Sequence, residues 1–310
     1  MASPKRRPTS PRRSGPAAVE DVPSARAELA PAKVNLTLRI VGRRPDGYHD
    51  LESLVVFASI GDALTLNAGP RLSLAVRGPT ASSAGAIADN LVLKAVDALA
   101  QRVEGVKSGR FVLSKRLPVA AGLGGGSADA AAALRLLARK NRLALDDPRL
   151  REAALVTGAD VPVCLDPRPQ LMSGIGDLLS RPLDLPRLSA VLVNPRLAVP
   201  TKGVFERLAA PRVLRPAALS EDYPPTDRAG LLKYLGGRGN DLEAPAIALQ
   251  PVVADVLDAL RRLSGCRLAR MSGSGATCFG LFDSAKAAVV AAQTLRGCKP
   301  DWWVRSGTLG

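Results

Sequence analysis

From Ala32 to Ala68 apolar positions alternate with polar or small ones, a period of two that predicts strands. "AKVNLTLRIVG" (32–42) reads as one strand, "RRPDGYHD" (43–50) as a turn through Pro45, Asp46 and Gly47, and "LESLVVFASI" (51–60) and "DALTLNA" (62–68) as two more. The period then changes. In "DNLVLKAVDALAQRV" Leu91, Ala95, Leu99 and Val103 recur at helical spacing behind a cap at Asp89 or Asn90. "GRFVLSKRL" returns to a strand ending at Leu117, and "PVAAGLGGGSADAAAALRLL" places four glycines before an alanine-rich helix, expected from Ala128 to about Asn141 with Ser127 as its cap. "TGADVPVCL" (157–165) reads as a turn into a short apolar strand. "LSAVLVNPRLAVPTKGVFERL" (188–208) reads as strand, turn and helix capped by Thr201, and "GRGNDLEAPAI" as a helix starting at Asn240 or Asp241. In "RMSGSGATCFGLF" a glycine loop precedes a strand from Thr277 to Phe282. No internal repeat appears.

At 310 residues the chain is long enough for two domains sharing one site. Apolar residues make up 46% and charged ones 23%, and no uncharged apolar run approaches the ~18 residues of a membrane span. Cys164, Cys266, Cys278 and Cys298 match neither a C-x-x-C pair nor a disulfide framework, which fits a reducing, cytoplasmic setting. With His49 the sole histidine, multi-histidine metal sites are excluded and a Ser-His-Asp hydrolase has few ways to be built.

The net charge of +15 suggests a polyanionic partner, but five of the basic residues fall in the first 19 positions, among four prolines and no acids. Residues 1–29 read as a disordered basic arm, rich in arginine and serine like a transit peptide but without its amphipathic pattern. Aromatics are 3% of the chain, too few to make base-stacking platforms, so a phosphorylated small molecule accounts for the remaining charge as well as nucleic acid does.

The glycine loop sits between a strand and a helix, where bare backbone N–H groups and the helix dipole make a phosphate cradle; a flexible hinge is the bland alternative. It fits neither common phosphate motif. No lysine follows the glycines as a P-loop requires, and the sixth position of G-x-G-x-x-G counted from Gly122 is Ser127.

"PVAAGLGGGSADAAA" resembles the glycine-rich motif of the GHMP kinases, small-molecule kinases. "PAKVNLTLRIVGRRPDGYHDLESL", "TGADVPVCL" and "RMSGSGATCFGLF" resemble the branch of that family acting on a cytidine-diphosphate-linked polyol, in matching order from residue 30 to 308. The resemblance implies an α+β, two-domain GHMP kinase fold. Its first half, 30–166, would be α/β with a left-handed βαβ crossover and would bind ATP; its second, 167–310, would be ferredoxin-like.

The resemblance also implies the site. Pro118, Val119, Ala120, Ala121, Gly122, Leu123, Gly124, Gly125, Gly126, Ser127 and Ala128 would cradle ATP, with Ser127 reaching Mg²⁺. Asp160 would be the base and Lys33 the cation beside it, holding the carboxylate and steadying the incipient alkoxide. Tyr48 would stack on the cytosine, His49 would bond its edge, Phe205 would close the other face, and Asn35 and Thr201 would contact substrate.

Each residue also has a bland reading. Asp160 could be a turn or cap residue, Lys33 an edge-strand gatekeeper, Tyr48 a plug on the sheet edge, Phe205 a packing residue and Asn240–Asp241 a helix cap. The Ser272–Gly275 loop is expected to face the glycine loop, or else to be a tight interdomain turn. Two rival functions remain open: another GHMP kinase, such as a mevalonate or homoserine kinase, and a basic nucleic-acid-binding module.

Overall fold

A computed structural model of the protein describes residues 26–213, 218–219 and 221–310. The basic arm expected over residues 1–29 lies outside them as far as residue 25. Residues 26–29 instead open strand β1 (Arg26–Asn35), in register with β3 from Arg26↔Leu66 onward.

Strand β2 (Arg39–Arg43) follows after a break, so the one strand expected from 32 to 42 is two. The break arises because Leu38 leaves the sheet to donate its N–H to Gly239 O at 2.9 Å. Conversely, β3 (His49–Asn67) is one strand of 19 residues where two are expected. Gly61 does not turn the chain. A Cβ there would stand 2.3 Å from Ala30 O, so glycine lets β1 lie close against an unbroken β3. The turn through Pro45, Asp46 and Gly47 is present, with Gly47 at φ 90°.

Next come β4 (Ser73–Arg77), α1 (Leu91–Ala100) and β5 (Arg110–Ser114), with β4 and β5 parallel and α1 in their crossover. Asn90 caps α1, its side chain accepting from Val92 N. Helices α2 (Gly125–Asn141), α3 (Pro148–Thr157) and α4 (Val161–Leu165) cover the sheet, and β6 (Gln170–Gly174) and β7 (Leu178–Leu179) complete it. Strand β6 pairs antiparallel with β3, so residues 170–174 extend the sheet that β1 to β5 build. The short strand expected at 161–165 is α4, where Pro162 in the first turn supplies a helical φ.

The second half runs β8 (Leu188–Asn194), α5 (Thr201–Glu206), α6 (Arg228–Gly236), α7 (Glu243–Leu249), α8 (Val252–Arg261), β9 (Cys266–Met271), β10 (Cys278–Phe282), α9 (Ala285–Cys298) and β11 (Trp303–Leu309). Its strand order β11-β8-β10-β9, antiparallel throughout, is the β-α-β-β-α-β arrangement of ferredoxin-like folds.

Each half has its own core, and a third cluster welds them. Val34 and Leu54 from the first half are buried there with Leu192, Phe279 and Trp303 from the second. Each such side chain contributes about 1.5–3 kcal/mol when removed from water, so the cleft between the halves stands on a packed joint. No helix among the described residues is long and apolar enough to cross a membrane.

Candidate active site

The glycine loop owes its shape to two positions. Gly122 has φ 72°, and a Cβ on it would lie 2.3 Å from Ser272 O; Gly124 has φ 59° and a Cβ there would crowd Lys33 at 3.3 Å. Gly124 is the left-handed residue from which α2 starts, at Gly125. Ser127 is therefore the third helical residue and not the cap; the missing cap side chain leaves the first-turn amides open to a ligand. The loop is pinned from below: Lys33 N donates to Leu123 O at 2.9 Å, Ser272 Oγ to Gly122 O at 2.9 Å, and Thr277 N to Ala121 O at 3.1 Å. The Ser272–Gly275 loop thus faces the glycine loop, as expected.

A cavity of about 410 Å³ is lined by Pro118–Gly122 and Gly124–Ser127, with Asn90 and Leu91 at the start of α1. The side chains of Leu123 and Ala128, also expected along the cradle, are buried in the apolar core. A second cavity, of about 830 Å³, is lined by Tyr48, His49, Phe205 and Thr201. Lys33, Asn35, Ser127, Asp160, Thr201, Gly273 and Ser274 line both.

At that junction Lys33 Nζ lies 2.6 Å from Asp160 Oδ1, the lysine buried and the carboxylate partly open. Burial rules out an edge gatekeeper role for Lys33. Asp160 occupies the cap position of α4 but makes no cap bond, which leaves its carboxylate to the lysine. Arg135 of α2, itself buried, aligns the two carriers: it donates to Cys164 O in α4 at 2.6 Å and to Leu29 O in β1 at 2.9 Å. Asn35 is held by Ser53 Oγ, 2.7 Å from its Nδ2, and by Ser272 Oγ, 3.1 Å from its backbone N–H.

In the larger cavity Phe205 faces the imidazole of His49, ring centroids 5.0 Å apart and tilted by 36°, while Tyr48 stands 61% exposed at the rim. Tyr48 is no plug. Partial burial, and after it the Arg43 guanidinium, lower the pKa of His49 and so favour its neutral ring. Thr201 is the first residue of α5, not its cap, because Pro200 precedes it there; its hydroxyl lies 2.8 Å from Ser274 Oγ. Asn240 Oδ1 accepts from Leu242 N at 3.0 Å, a cap-like bond in the turn that enters α7, but the pair does more than cap. Asn240 Nδ2 donates to Met271 O and Gly273 O, both at 2.8 Å, and Asp241 Oδ2 accepts from Ile40 N at 2.7 Å.

One group is absent from the sequence reading. Lys115 is buried between Asp62, 2.5 Å from its ammonium, and Asp129, 2.8 Å away, and both Lys115 and Asp129 reach the smaller cavity. Asp62 also accepts from Leu117 N at 2.9 Å and from Arg116 N at 2.5 Å. Among the described residues Asp129 Oδ1 has no hydrogen-bond partner, and desolvation raises that carboxyl's pKa to about 8. The clue is alternation: Phe111, Leu113, Lys115 and Leu117 share the buried face, so an inward lysine demands carboxylate partners.

Among the described residues no three His, Cys, Asp or Glu side chains cluster to hold a metal unaided. The Ser127 hydroxyl, on the wall of both cavities, is an oxygen donor of the kind Mg²⁺ takes when nucleotide phosphates supply most of its ligands.

The chain matches the models of the GHMP kinases N terminal domain over residues 90–166 and of the GHMP kinases C terminal domain over 218–298. It is 56% identical over 298 residues to a 4-diphosphocytidyl-2-C-methyl-D-erythritol kinase of Rhodopseudomonas palustris, covering 92% of this chain and 99% of the relative. It is 58% identical over 286 residues to the like-named protein of Xanthobacter autotrophicus, covering 90% and 97%. A solved 4-(cytidine 5'-diphospho)-2C-methyl-D-erythritol kinase superposes with a TM-score of 0.71 at 35% identity, over 92% of this chain and 99% of that one. With both family models in chain order and relatives of this identity along nearly their whole length, the chain belongs to the GHMP kinases, within their 4-diphosphocytidyl-2-C-methyl-D-erythritol kinase family.

Proposed function

We propose that the protein transfers the γ-phosphoryl group of ATP to the 2-hydroxyl of 4-diphosphocytidyl-2-C-methyl-D-erythritol, giving the 2-phosphate and ADP, in the non-mevalonate route to isoprenoid precursors. The observation that carries this reading is the meeting of two cavities, one lined by glycine-loop backbone and one by aromatic rings, at a single Lys33–Asp160 pair.

The backbone amides of Gly125, Gly126 and Ser127 bind the triphosphate and hold it in line with the acceptor. Tyr48, His49 and Phe205 hold the cytosine, and Asn35 and Thr201 hold the polyol. Asp160 accepts the hydroxyl proton as the new oxygen–phosphorus bond forms and the β,γ-bridging bond breaks. Lys33 stabilises the developing alkoxide. Ser127 would help to hold Mg²⁺, which would supply neutralisation of the phosphate charge. The four free thiols support a reducing, cytoplasmic setting.

The test is ATP consumption with the cytidine-diphosphate polyol, with mevalonate and homoserine as controls. Turnover with the first alone is expected. Turnover with mevalonate or homoserine instead would transfer the site to another branch of the family.

A further inference from the structure

We propose that Arg43 is the residue that recognises the substrate's diphosphate, an inference that rests on the cytidine-diphosphate reading of the larger cavity. Its support is a charge inventory of that cavity. Five charged side chains line it: Lys33, Arg43, Asp160, Lys202 and Glu206. Lys33 is committed to Asp160 at 2.6 Å, and Lys202 stands 3.8 Å from Glu206 at the solvent-exposed start of α5. Arg43 makes no ion pair with any described residue and is exposed. Its neighbour in sequence, Arg44, is the one engaged by Asp46 and Asp50.

The backbone of Arg43 is fixed while its guanidinium is free. Its N–H donates to Pro211 O at 2.7 Å, and its carbonyl accepts from Val213 N at 3.0 Å. In the β2–β3 register it lies directly opposite His49, so its side chain projects from the same face of the ribbon as the imidazole that faces Phe205. A cation on that face is within reach of phosphates attached to a nucleoside whose base lies against those rings.

The need for one follows from charge. A diphosphate diester carries about two negative charges, which a partly desolvated pocket must balance. Burial and the Arg43 guanidinium lower the pKa of His49, which disfavours its cationic form. Guanidinium is suited to the task, since its planar fork binds two phosphate oxygens at once.

Calorimetry tests this, with cytidine and CDP titrated into wild type and Arg43→Gln, both saturated with a non-hydrolysable ATP analogue so that only the second cavity is read. Wild type is expected to favour CDP over cytidine by roughly tenfold or more, and Arg43→Gln to lose about tenfold for CDP with cytidine unchanged. Arg43→Lys, which keeps charge but not the fork, should fall between. The KM for the cytidine-diphosphate polyol should rise with the loss for CDP, and the KM for ATP should not. Equal affinities of wild type for the two compounds, or a variant in which CDP affinity is unchanged or falls only as much as cytidine affinity, would overturn the assignment. Wild type binding neither compound and leaving the polyol unphosphorylated would overturn the substrate reading itself, and this assignment with it.

Discussion

Asp160→Asn is expected to lower turnover about 10³-fold, within the 10²–10⁴ that a positioned general base supplies, which is about 4 kcal/mol of barrier. The amide keeps the shape and can still accept a hydrogen bond from the Lys33 ammonium, now 2.6 Å from Oδ1, so the fold should survive. What disappears is the acceptor for the hydroxyl proton. Lys33→Ala should cost about 10²-fold or more, the scale of one preorganised donor to developing charge. Steady-state kinetics, with thermal melting as the control for folding, reads both. ATP affinity should stay near wild type in Asp160→Asn, because the glycine loop's own bonds to Lys33 N, Ser272 and Thr277 do not involve the carboxylate. Near-normal rates in both variants would remove the pair from the chemistry.

Lys115→Met carries the largest expected loss of stability, about 3–5 kcal/mol, the usual result of taking one partner from a buried ion pair. The cost arises because Asp62 and Asp129 are both essentially excluded from water and share this one ammonium. Asp129→Asn is the informative companion. Its carboxyl has a pKa of 3.8 in the unfolded chain and about 8 when folded. The native state therefore holds more protons across that interval, so the stability this group contributes is complete below about pH 4 and is lost as pH rises through about 8. Asn cannot ionise, so denaturant midpoints of Asp129→Asn should decline less steeply over that range. A Lys115→Met protein as stable as wild type would mean that the cluster is not closed in solution.

Most of what positions the site is legible locally. The glycine loop requires positive φ and close backbone approach at Gly122 and Gly124, and only glycine meets both cheaply, so the residue types announce the geometry. The Lys33, Asp160, Tyr48, His49 and Phe205 positions lie in short segments whose chemistry is visible one residue at a time, and the structure brings all five to the walls of one cavity.

Less legible is whatever depends on partners distant in sequence. Asn240–Asp241 before a helix looks like a cap, and Asn240 Oδ1 does accept from Leu242 N, yet the pair's other bonds reach Met271, Gly273 and Ile40, far away in sequence. Ser127 and Thr201 have the right chemistry for caps, but Gly124 and Pro200 hold those positions because the backbone path sets them. Lys115 meets Asp62 across 53 residues, a pairing that strand alternation can demand but cannot address. Element boundaries err similarly: β3 runs through Gly61 because β1 lies against it, and β1 stops at Asn35 because the second half of the chain captures Leu38.

The central claim is that one lysine–carboxylate pair serves two ligand cavities. Its most direct test is a crystal structure with a non-hydrolysable ATP analogue and the cytidine-diphosphate polyol bound together. The account predicts phosphates against the amides of Gly125–Ser127 and the acceptor hydroxyl about 3 Å from an Asp160 oxygen, in line with the γ-phosphorus. A nucleotide seated elsewhere, or a polyol whose hydroxyls all lie beyond hydrogen-bonding reach of Asp160, would contradict it.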